Sequence, residues 1–383
     1  MTSNLNKNLI FIFLTSLFFV NYNLYFNLIP LIPMSLLLMF NGNLISERFL
    51  YSTILFLSIL FLSIFEFFFL DPLFIDKNEV YSEISTLSFI YFGYLVVLYF
   101  FCKELVKEYT ETFLQCFELL FKIILIAGLV FFFINIAGFN ISIIGLIAGK
   151  EARLASNDSI GIGMIGHVEE PSTYGAILIF SSLLLFISKK NYGLALTGFF
   201  CSFLTFSTAI WFIAPVIILI LIFLYPGISK QYPLTIFFGL FFFLSLFAFL
   251  AFSIQLNKIT DGYAVSIRLF LFELLANRDA YMIFWAAGPW GYESVIRDLT
   301  DPWYGSLRSA SINDLGSFVF IYIYFGALGL IAFLSFVFSQ IKSLRLQIIF
   351  LVSTLLKLSI LHPLFLFYMA AFSYLSSVKP QNN

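Results

Sequence analysis

Long apolar runs separated by short polar breaks make up most of this chain. A helix needs ~20 apolar residues to cross the hydrocarbon core of a bilayer, and the number of runs predicts about twelve crossings. The pattern therefore predicts an all-α fold, with residues 1–383 forming a single integral membrane domain. The predicted crossings are 8–20, 24–40, 49–70, 84–102, 119–139, 173–188, 193–206, 208–224, 233–253, 316–339, 346–360 and 363–378.

Two of the apolar runs are too long for one helix and short for two. We place a reversal at Phe206-Ser207-Thr208 in the first, and at His362-Pro363 in the second. The run after Leu9 has no small-residue cleavage site behind it, so we interpret it as a retained helix rather than a signal peptide.

Composition supports the membrane prediction and narrows the chemistry. The chain is 61% hydrophobic and 11% charged, whereas soluble domains are about 25% charged. A net charge of −1 offers no basic excess for nucleic acid. The three cysteines lie in or beside apolar segments without Cys-x-x-Cys or Cys/His spacing, so neither a disulfide framework nor a metal site is predicted. No cofactor is predicted either.

Lysine and arginine in the short loops predict the orientation. Loops rich in these residues stay in the cytoplasm, which places both termini inside. The opposite face then carries the 140–172 loop and the longest polar stretch, 254–312, which we predict to be a large, partly helical external loop. The cytoplasmic set comprises Lys7, Arg48, Lys103, Lys107, Lys189, Lys190, Lys230, Lys342, Arg345 and Lys379.

Arginines are concentrated in the two external segments. Arginine binds phosphate through two parallel hydrogen bonds and keeps its charge. A lipid-linked pyrophosphate held at the membrane surface would need such groups. The alternative is that they decorate loop surfaces or meet lipid headgroups. The five are Arg153, Arg268, Arg278, Arg297 and Arg308.

Glu170 stands directly before Pro171, where a helix is predicted to start. Ser172 or Thr173 would be a capping group beside it. One interpretation of Glu170 is helix-start chemistry alone, an acid at the positive end of a helix dipole. The other is a general base, or a group that orients a sugar hydroxyl. His167, in the glycine-rich loop just upstream, is a candidate for substrate binding.

The second external segment offers aromatic and acidic candidates. Trp290 and Trp303 stand in glycine- and proline-punctuated turns. They would line a sugar-binding cleft or form part of an interfacial aromatic belt. Asp314 would cap the helix that follows, or join Arg308 in the same cleft as Glu170.

Three polar residues fall in or beside predicted crossings. Lys122 and Lys357 are ionisable side chains in apolar surroundings, which are costly and often functional. For Lys122 the alternative is snorkelling from a helix end. His362, at the presumed turn between the last two helices, is interpreted as structural.

Three segments together resemble the O-antigen polymerase family, within a wider group that includes the O-antigen ligases. They are Arg153 followed by a glycine-containing loop and Glu170-Pro-Ser; the reversal at 204–209; and the motif 288–291 followed by Asn313 and the glycine pair of 325–329. The resemblance spans about residues 120–340. The reversal lacks the family's arginine. Ile312 stands where ligases have a histidine, which weakens the ligase interpretation.

The resemblance implies a metal-independent, inverting glycosyltransferase of lipopolysaccharide biosynthesis in the bacterial inner membrane. It would join undecaprenyl-diphosphate-linked oligosaccharide repeat units at the periplasmic face. Arg153, Glu170 and Arg268 look like the family's catalytic residues. The implied partners are the lipid-linked donor and acceptor, the bilayer and a chain-length regulator. An O-antigen ligase, a transporter or flippase of lipid-linked oligosaccharide, and a non-catalytic membrane scaffold remain as alternatives.

Overall fold

The computed structural model describes the chain in separate stretches, and every structural statement below concerns them. Their regular secondary structure is helical throughout, with no strand, which confirms the all-α prediction for this part of the chain. The stretches are 2–19, 29–47, 49–51, 53–54, 57–58, 79–139, 164, 168, 171–188, 191–224, 283–284, 316–358, 360 and 362–377.

Ten α-helices are named here, with a short 3-10 helix at Gly42–Leu44. Both predicted reversals are confirmed, since one helix ends at Phe203 and the next begins at Thr208, and the last helix begins at Pro363. The helices are α1 (Thr2–Phe18), α2 (Leu31–Phe40), α3 (Glu79–Glu108), α4 (Thr110–Ile136), α5 (Pro171–Ile187), α6 (Tyr192–Phe203), α7 (Thr208–Leu224), α8 (Gly316–Gln340), α9 (Leu344–Ser353) and α10 (Pro363–Ser377).

Several predicted boundaries are wrong. The crossing predicted from 119 belongs to a helix that begins nine positions earlier, at Thr110. The first residues of this helix are polar, so the hydropathy pattern did not include them. Within the helix, Lys122 and Glu118 form an ion pair of 2.7 Å. The crossing predicted over 346–360 is helical only to Ser353. The one predicted over 24–40 has a turn at residues 29–30 before α2 begins.

Other predictions fall mainly on residues outside the described stretches. These are most of the crossing at 49–70, the whole crossing at 233–253, and nearly all of the external segments 140–172 and 254–312. Of the helices in the described stretches, one, Thr110–Ile136, has both the length and the apolar composition needed to cross a membrane. The further apolar helices in these stretches have 10–17 residues.

Helix α5 runs antiparallel to α4. Near the start of α5, the Tyr174 hydroxyl donates a hydrogen bond of 2.8 Å to the carbonyl of Ile124. Further along α5, Ser182 packs against Gly198 of α6, and Phe121 of α4 approaches the same glycine. Later positions of α5 therefore lie beside earlier positions of α4.

Helix α10 is also antiparallel to α4. Thr110, at the start of α4, donates a hydrogen bond of 3.2 Å to Tyr374 near the end of α10. About two turns further along α4, Phe117 contacts Phe367 at a ring-centroid distance of 6.0 Å. Helices α5 and α10 thus run in the same direction. We call the part of the bundle in which both begin the upper half, the outer face of that half the upper end, and the opposite end of the bundle the lower end.

Helix α8 is broken at Gly326, where φ is 62° and ψ is −161°. Phe318 and Phe333 contact each other at 5.8 Å, although a straight helix would hold them about 22 Å apart. The chain therefore turns back on itself between a first arm (316–325) and a second arm (327–340). A straight crossing over 316–339, as predicted, is wrong for this reason. The backbone of Ile283 and Phe284 packs into the corner.

The lower end is held by side-chain amides and hydroxyls. Asn6 and Asn41 exchange hydrogen bonds of 2.8 and 3.1 Å, and Tyr109 donates to Asn41 at 2.6 Å. Gln340, at the end of α8, accepts from Tyr99 at 3.0 Å and from Lys103 at 2.8 Å. These contacts tie together helix ends from both halves of the chain.

Cations in the described stretches are distributed unequally between the two ends. Lys107, at the lower end of α3, pairs with Glu104 at 3.2 Å, and this hydrogen bond and charge raise the pKa of Lys107. Lys122 shares Glu118 with Asn191, which caps the lower end of α6. Two cations lie further up the bundle: Lys122, two positions before the Ile124 carbonyl that Tyr174 contacts, and Lys357, which follows α9. The cations toward the lower end are Lys7, Lys103, Lys107, Lys342 and Arg345.

We expect Gly326→Ala to destabilise the protein by about 1–3 kcal/mol, because the left-handed φ disfavours a side chain. The added methyl group would also lie 2.6 Å from the carbonyl oxygen of Phe284. Thermal unfolding of the detergent-solubilised protein measures this. Gly193→Ala is the matched control. Gly193 lies in the first turn of α6, and the methyl group added there would lie 3.6 Å from its nearest neighbour, the side-chain oxygen of Asn191. Equal midpoints for the two variants would contradict the strain at Gly326.

Candidate functional site

Three phenylalanines form an apolar floor in the upper half of the bundle. Phe180 of α5, Phe350 of α9 and Phe365 of α10 contact one another at ring-centroid distances of 5.9, 6.3 and 5.6 Å. All three are fully buried. We call them the aromatic floor. It fixes the relative heights of the three helices and separates the groups above it from the lower half.

The connection between α9 and α10 lies above this floor. Helix α9 has ten residues, or about 15 Å of length, half the ~30 Å of a hydrocarbon core. The hydroxyls of Ser353 and Thr354 donate to carbonyls of their own helix, at 2.8 and 2.6 Å. Such bonds compete with the helical ladder and favour its end. The α9–α10 turn therefore begins partway along the bundle, where Thr354, Leu356 and Leu358 are fully buried and Leu355 is exposed.

The start of α8 docks onto the α9–α10 turn through its backbone. Ser317 donates its amide to the carbonyl of Thr354 at 3.0 Å and its hydroxyl to the carbonyl of Leu358 at 2.8 Å. A side chain at Gly316 would lie 2.8 Å from the carbonyl oxygen of Leu355, so glycine permits this approach. The first arm of α8 thus begins beside the turn, within the upper half of the bundle.

Two ionisable side chains belong to the α9–α10 turn. Lys357 is 7% exposed and His362 is 5% exposed. His362 Nδ1 accepts a hydrogen bond of 3.2 Å from the amide of Leu364, and its carbonyl accepts one of 2.9 Å from Phe365. His362 therefore caps the start of α10, which confirms its interpretation as structural. Lys357 is a buried cation of the upper half.

Thr173 faces this region from α5. It stands seven positions before Phe180, which is close to two helical turns, so both lie on one face with Thr173 about 10 Å higher. Its side chain is fully buried, and its hydroxyl has no hydrogen-bond partner. Of the two predicted capping candidates, Ser172 and Thr173, Thr173 therefore does not act as the cap. A buried hydroxyl left unpaired costs about 1–3 kcal/mol.

The opposite face of α5 is closely packed. Ser182 lies against Gly198, and its buried hydroxyl is also without a partner. At Gly175, an added methyl group would lie 2.7 Å from Ile210 and 3.0 Å from the hydroxyl oxygen of Thr205. This face fixes α5 against α6 and α7.

The α6–α7 turn closes the same side of the upper half. Leu204 accepts a backbone hydrogen bond of 2.9 Å from Met164, which is fully buried. Phe206 has a left-handed φ of 50°, unusual for a bulky residue. Its ring stacks on Trp211, whose indole donates to the carbonyl of Phe203 at 3.0 Å. Aromatic packing thus holds a strained reversal at the place where the sequence predicted one.

The site residues predicted from the sequence all lie outside the described stretches. Their convergence on one pocket stays a prediction. Chain order alone connects two of them to the described helices. Glu170 directly precedes Pro171 at the start of α5, and Asp314 comes two positions before Gly316 at the start of α8. The set comprises Arg153, His167, Glu170, Arg268, Arg278, Trp290, Trp303, Arg308 and Asp314.

Among the described side chains, the groups above the floor are mainly donors. The unpaired Thr173 hydroxyl and the positive end of the α5 dipole would favour an anionic or hydroxyl-rich ligand. No group of three His, Cys, Asp or Glu residues able to hold a metal occurs in these stretches. Sequence reasoning had singled out Lys357 for its position in an apolar run, and missed the unpaired hydroxyl of Thr173.

Comparisons of this chain with protein-family models, curated proteins and solved structures give no match.

Replacing Ser317 by alanine tests the docking of α8. We expect Ser317→Ala to lower the stability by about 1–2 kcal/mol, because the buried carbonyl of Leu358 loses a donor. Thermal unfolding measures the change. Ser339→Ala on the same helix is the control, since its exposed hydroxyl donates to the carbonyl of Phe336 and accepts from the side chain of Gln340, both of them local and exposed bonds. A loss of equal size in both variants would mean that the bond to Leu358 contributes nothing specific.

Proposed function

We propose that this protein is a polytopic membrane glycosyltransferase that polymerises a surface polysaccharide. It joins undecaprenyl-diphosphate-linked oligosaccharide repeat units at the periplasmic face of the inner membrane. Arginines neutralise the donor pyrophosphate, and Glu170 activates or orients the acceptor hydroxyl. Attack at the anomeric carbon transfers the growing glycan to the incoming unit, and the lipid diphosphate leaves.

The observation that carries this proposal is the presence of two buried polar side chains above the aromatic floor. Thr173 and Lys357 bring a hydroxyl and a cation into the buried upper half of an otherwise apolar bundle. Thr173 belongs to the first turn of α5, which directly follows Glu170 in the chain. Buried ionisable groups in a membrane bundle mark functional sites more often than structural ones.

The charge distribution supports the proposed orientation. Of the described cations, Lys7, Lys103, Lys107, Lys342 and Arg345 lie toward the lower end, whereas Lys122 and Lys357 lie further up the bundle. Under the positive-inside rule that end belongs in the cytoplasm. The upper end, with the starts of α5 and α10, is then periplasmic, on the side where lipid-linked repeat units would be joined.

A transporter of lipid-linked oligosaccharide is the second candidate, because the bundle contains irregular helices. Broken helices with buried, non-helical backbone line the substrate sites of many transporters. The break at Gly326 and the mostly buried α9–α10 turn fit that description. A transporter also needs a polar path to the other face. At the lower end, Asn6, Asn41 and Tyr109 are instead bonded to one another.

Glu170→Gln and Arg153→Ala test the polymerase proposal in a strain that lacks the native gene. We expect lipopolysaccharide with single repeat units in place of a long ladder, because the attacking hydroxyl or the leaving diphosphate loses its partner. Gel electrophoresis of lipopolysaccharide reads the chain length, and immunoblotting verifies the protein level. Glu47→Gln, an exposed carboxylate at the lower end, is the control and should keep the full ladder.

The same gel separates the alternatives. Loss of a ligase or a transporter would leave lipid A-core without any repeat unit, whereas loss of a polymerase leaves one. Full-length ladders from both variants at normal protein level would remove Glu170 and Arg153 from catalysis.

A further inference from the structure

We infer that the first turn of α5 is a phosphate-binding subsite, in which the Thr173 hydroxyl donates a hydrogen bond to a phosphate oxygen. This inference rests on the proposed function, since it identifies the phosphate as part of the diphosphate of a lipid-linked sugar. The catalytic assignment above concerns loop arginines and Glu170. The subsite adds a buried side chain from a helix of the bundle, for which the sequence predicted only a capping role.

The two residues after Thr173 hold the start of α5 in place. The Tyr174 hydroxyl donates a hydrogen bond of 2.8 Å to the carbonyl of Ile124 on α4. Gly175 packs so closely against α7 that an added methyl group would lie 2.7 Å from Ile210. Successive residues of a helix point about 100° apart, so Thr173 faces a third side of α5. The first turn is therefore fixed by contacts that do not involve the Thr173 hydroxyl.

Thr173 presents an unused donor near the start of this helix. It is the third residue of α5, and helical side chains tilt toward the N-terminus of their own helix. Its side chain is fully buried, and its hydroxyl has no hydrogen-bond partner within the described part of the chain. Buried polar groups are nearly always hydrogen-bonded, so an unpaired hydroxyl at this place indicates a bound acceptor.

A phosphate oxygen is the acceptor that this position favours. The start of a helix binds anions, because its amides and its dipole favour negative charge. A hydroxyl adds a directed donor, and hydrogen bonds to charged acceptors are about twice as strong as neutral ones. Valine has nearly the shape of threonine and would fill the position without an unpaired donor. Packing therefore gives no reason for the hydroxyl.

A second unpaired hydroxyl on α5 shows what packing alone produces. Ser182 is as deeply buried as Thr173, and its hydroxyl is also without a partner in the described stretches. It lies nine positions further along, about 14 Å from Thr173, and packs against Gly198 of α6. Close helix packing favours a small side chain there, and no helix start is near. Ser182 is therefore the matched control for Thr173.

Calorimetric titration with farnesyl diphosphate tests the subsite, using the full-length protein in phosphatidylcholine nanodiscs. We expect Thr173→Val to weaken binding about tenfold, because a hydrogen bond to a charged acceptor is lost. Thr173→Ser keeps the hydroxyl and should stay within about threefold of the native affinity. Ser182→Ala should bind as the native protein does. Should Thr173→Val fail to fold, Thr173→Ala replaces it and is expected to weaken binding equally.

Thermal unfolding without ligand supplies a second signature. We expect Thr173→Val to unfold at the same temperature as the native protein or higher, because the hydroxyl makes no hydrogen bond within the fold. Weaker binding together with undiminished stability is the combination that a ligand-binding hydroxyl produces. A lower unfolding temperature would assign the hydroxyl to a contact within the fold and overturn the inference.

Glu170→Gln tests the sign of the ligand charge in the same titration. Glu170 directly precedes α5 in the chain, and its charge opposes an anion at the helix start. We therefore expect Glu170→Gln to bind farnesyl diphosphate at least as tightly as the native protein. Glu47→Gln, an exposed carboxylate at the lower end, should leave the affinity unchanged. Weaker binding in Glu170→Gln would indicate a ligand held by its hydroxyl groups and would overturn the phosphate assignment.

Three further results would overturn the inference. The first is the absence of farnesyl diphosphate binding to the native protein. The second is native affinity in Thr173→Val, which would leave packing as the reason for the residue. The third is equal competition by phosphatidylglycerol in the nanodiscs, which would assign the subsite to bilayer phosphate.

The binding readout is separate from the lipopolysaccharide gel. Full ladders from Glu170→Gln, together with an affinity that depends on Thr173, would remove Glu170 from catalysis and keep the subsite. Single repeat units from Glu170→Gln, together with native affinity in Thr173→Val, would keep the polymerase and remove the subsite.

Discussion

Backbone that leaves the helical ladder inside an apolar bundle must find other hydrogen-bond partners, and this constraint shapes the upper half of the protein. Helix α9 ends after ten residues, which leaves the carbonyls of the following turn in the interior. Ser317 donates hydrogen bonds to two of these carbonyls, one from its amide and one from its hydroxyl. Gly316 lets the two backbones approach closely enough for these bonds. The place of the α9–α10 turn, and of Lys357 on it, therefore depends on where α8 begins.

The same constraint explains which parts of the fold could be predicted from the sequence. Pro363 and the polar Ser207-Thr208 pair interrupt apolar runs with residues of known preference, so both reversals were predictable. Gly326 stands in a run that reads as ordinary apolar helix. Its break requires the backbone of Phe284 as a neighbour, from a segment 42 positions away in the chain. The early end of α9 could not be predicted for a similar reason. Ser353 and Thr354 are compatible both with a continuing helix and with a helix end, and the hydrogen bonds that Ser317 donates to the carbonyls of the turn come from a distant part of the chain.

Prediction of the site met a different limit. Polarity in an apolar chain marked Lys357 and the segment before Pro171 without any knowledge of the fold. It could not show that Thr173 and Phe180 share a face that looks toward α9 and α10, since that depends on how three helices pack around the aromatic floor. The loop arginines and tryptophans carry no periodicity from which a position could be derived. Their assignment therefore depends on residue type and family resemblance alone.

Thr173 and Ser182 together show why burial alone does not identify a site. Both hydroxyls belong to α5, both are fully buried, and neither has a partner. Ser182 has Gly198 directly against it, so close packing of two helices is reason enough for a small side chain there. Thr173 occupies a helix start, where free amides and a positive dipole already favour an anion. Its face looks toward the turn that carries a buried lysine. Helix-start chemistry and an unpaired donor both favour a negatively charged ligand, and packing requires neither of them.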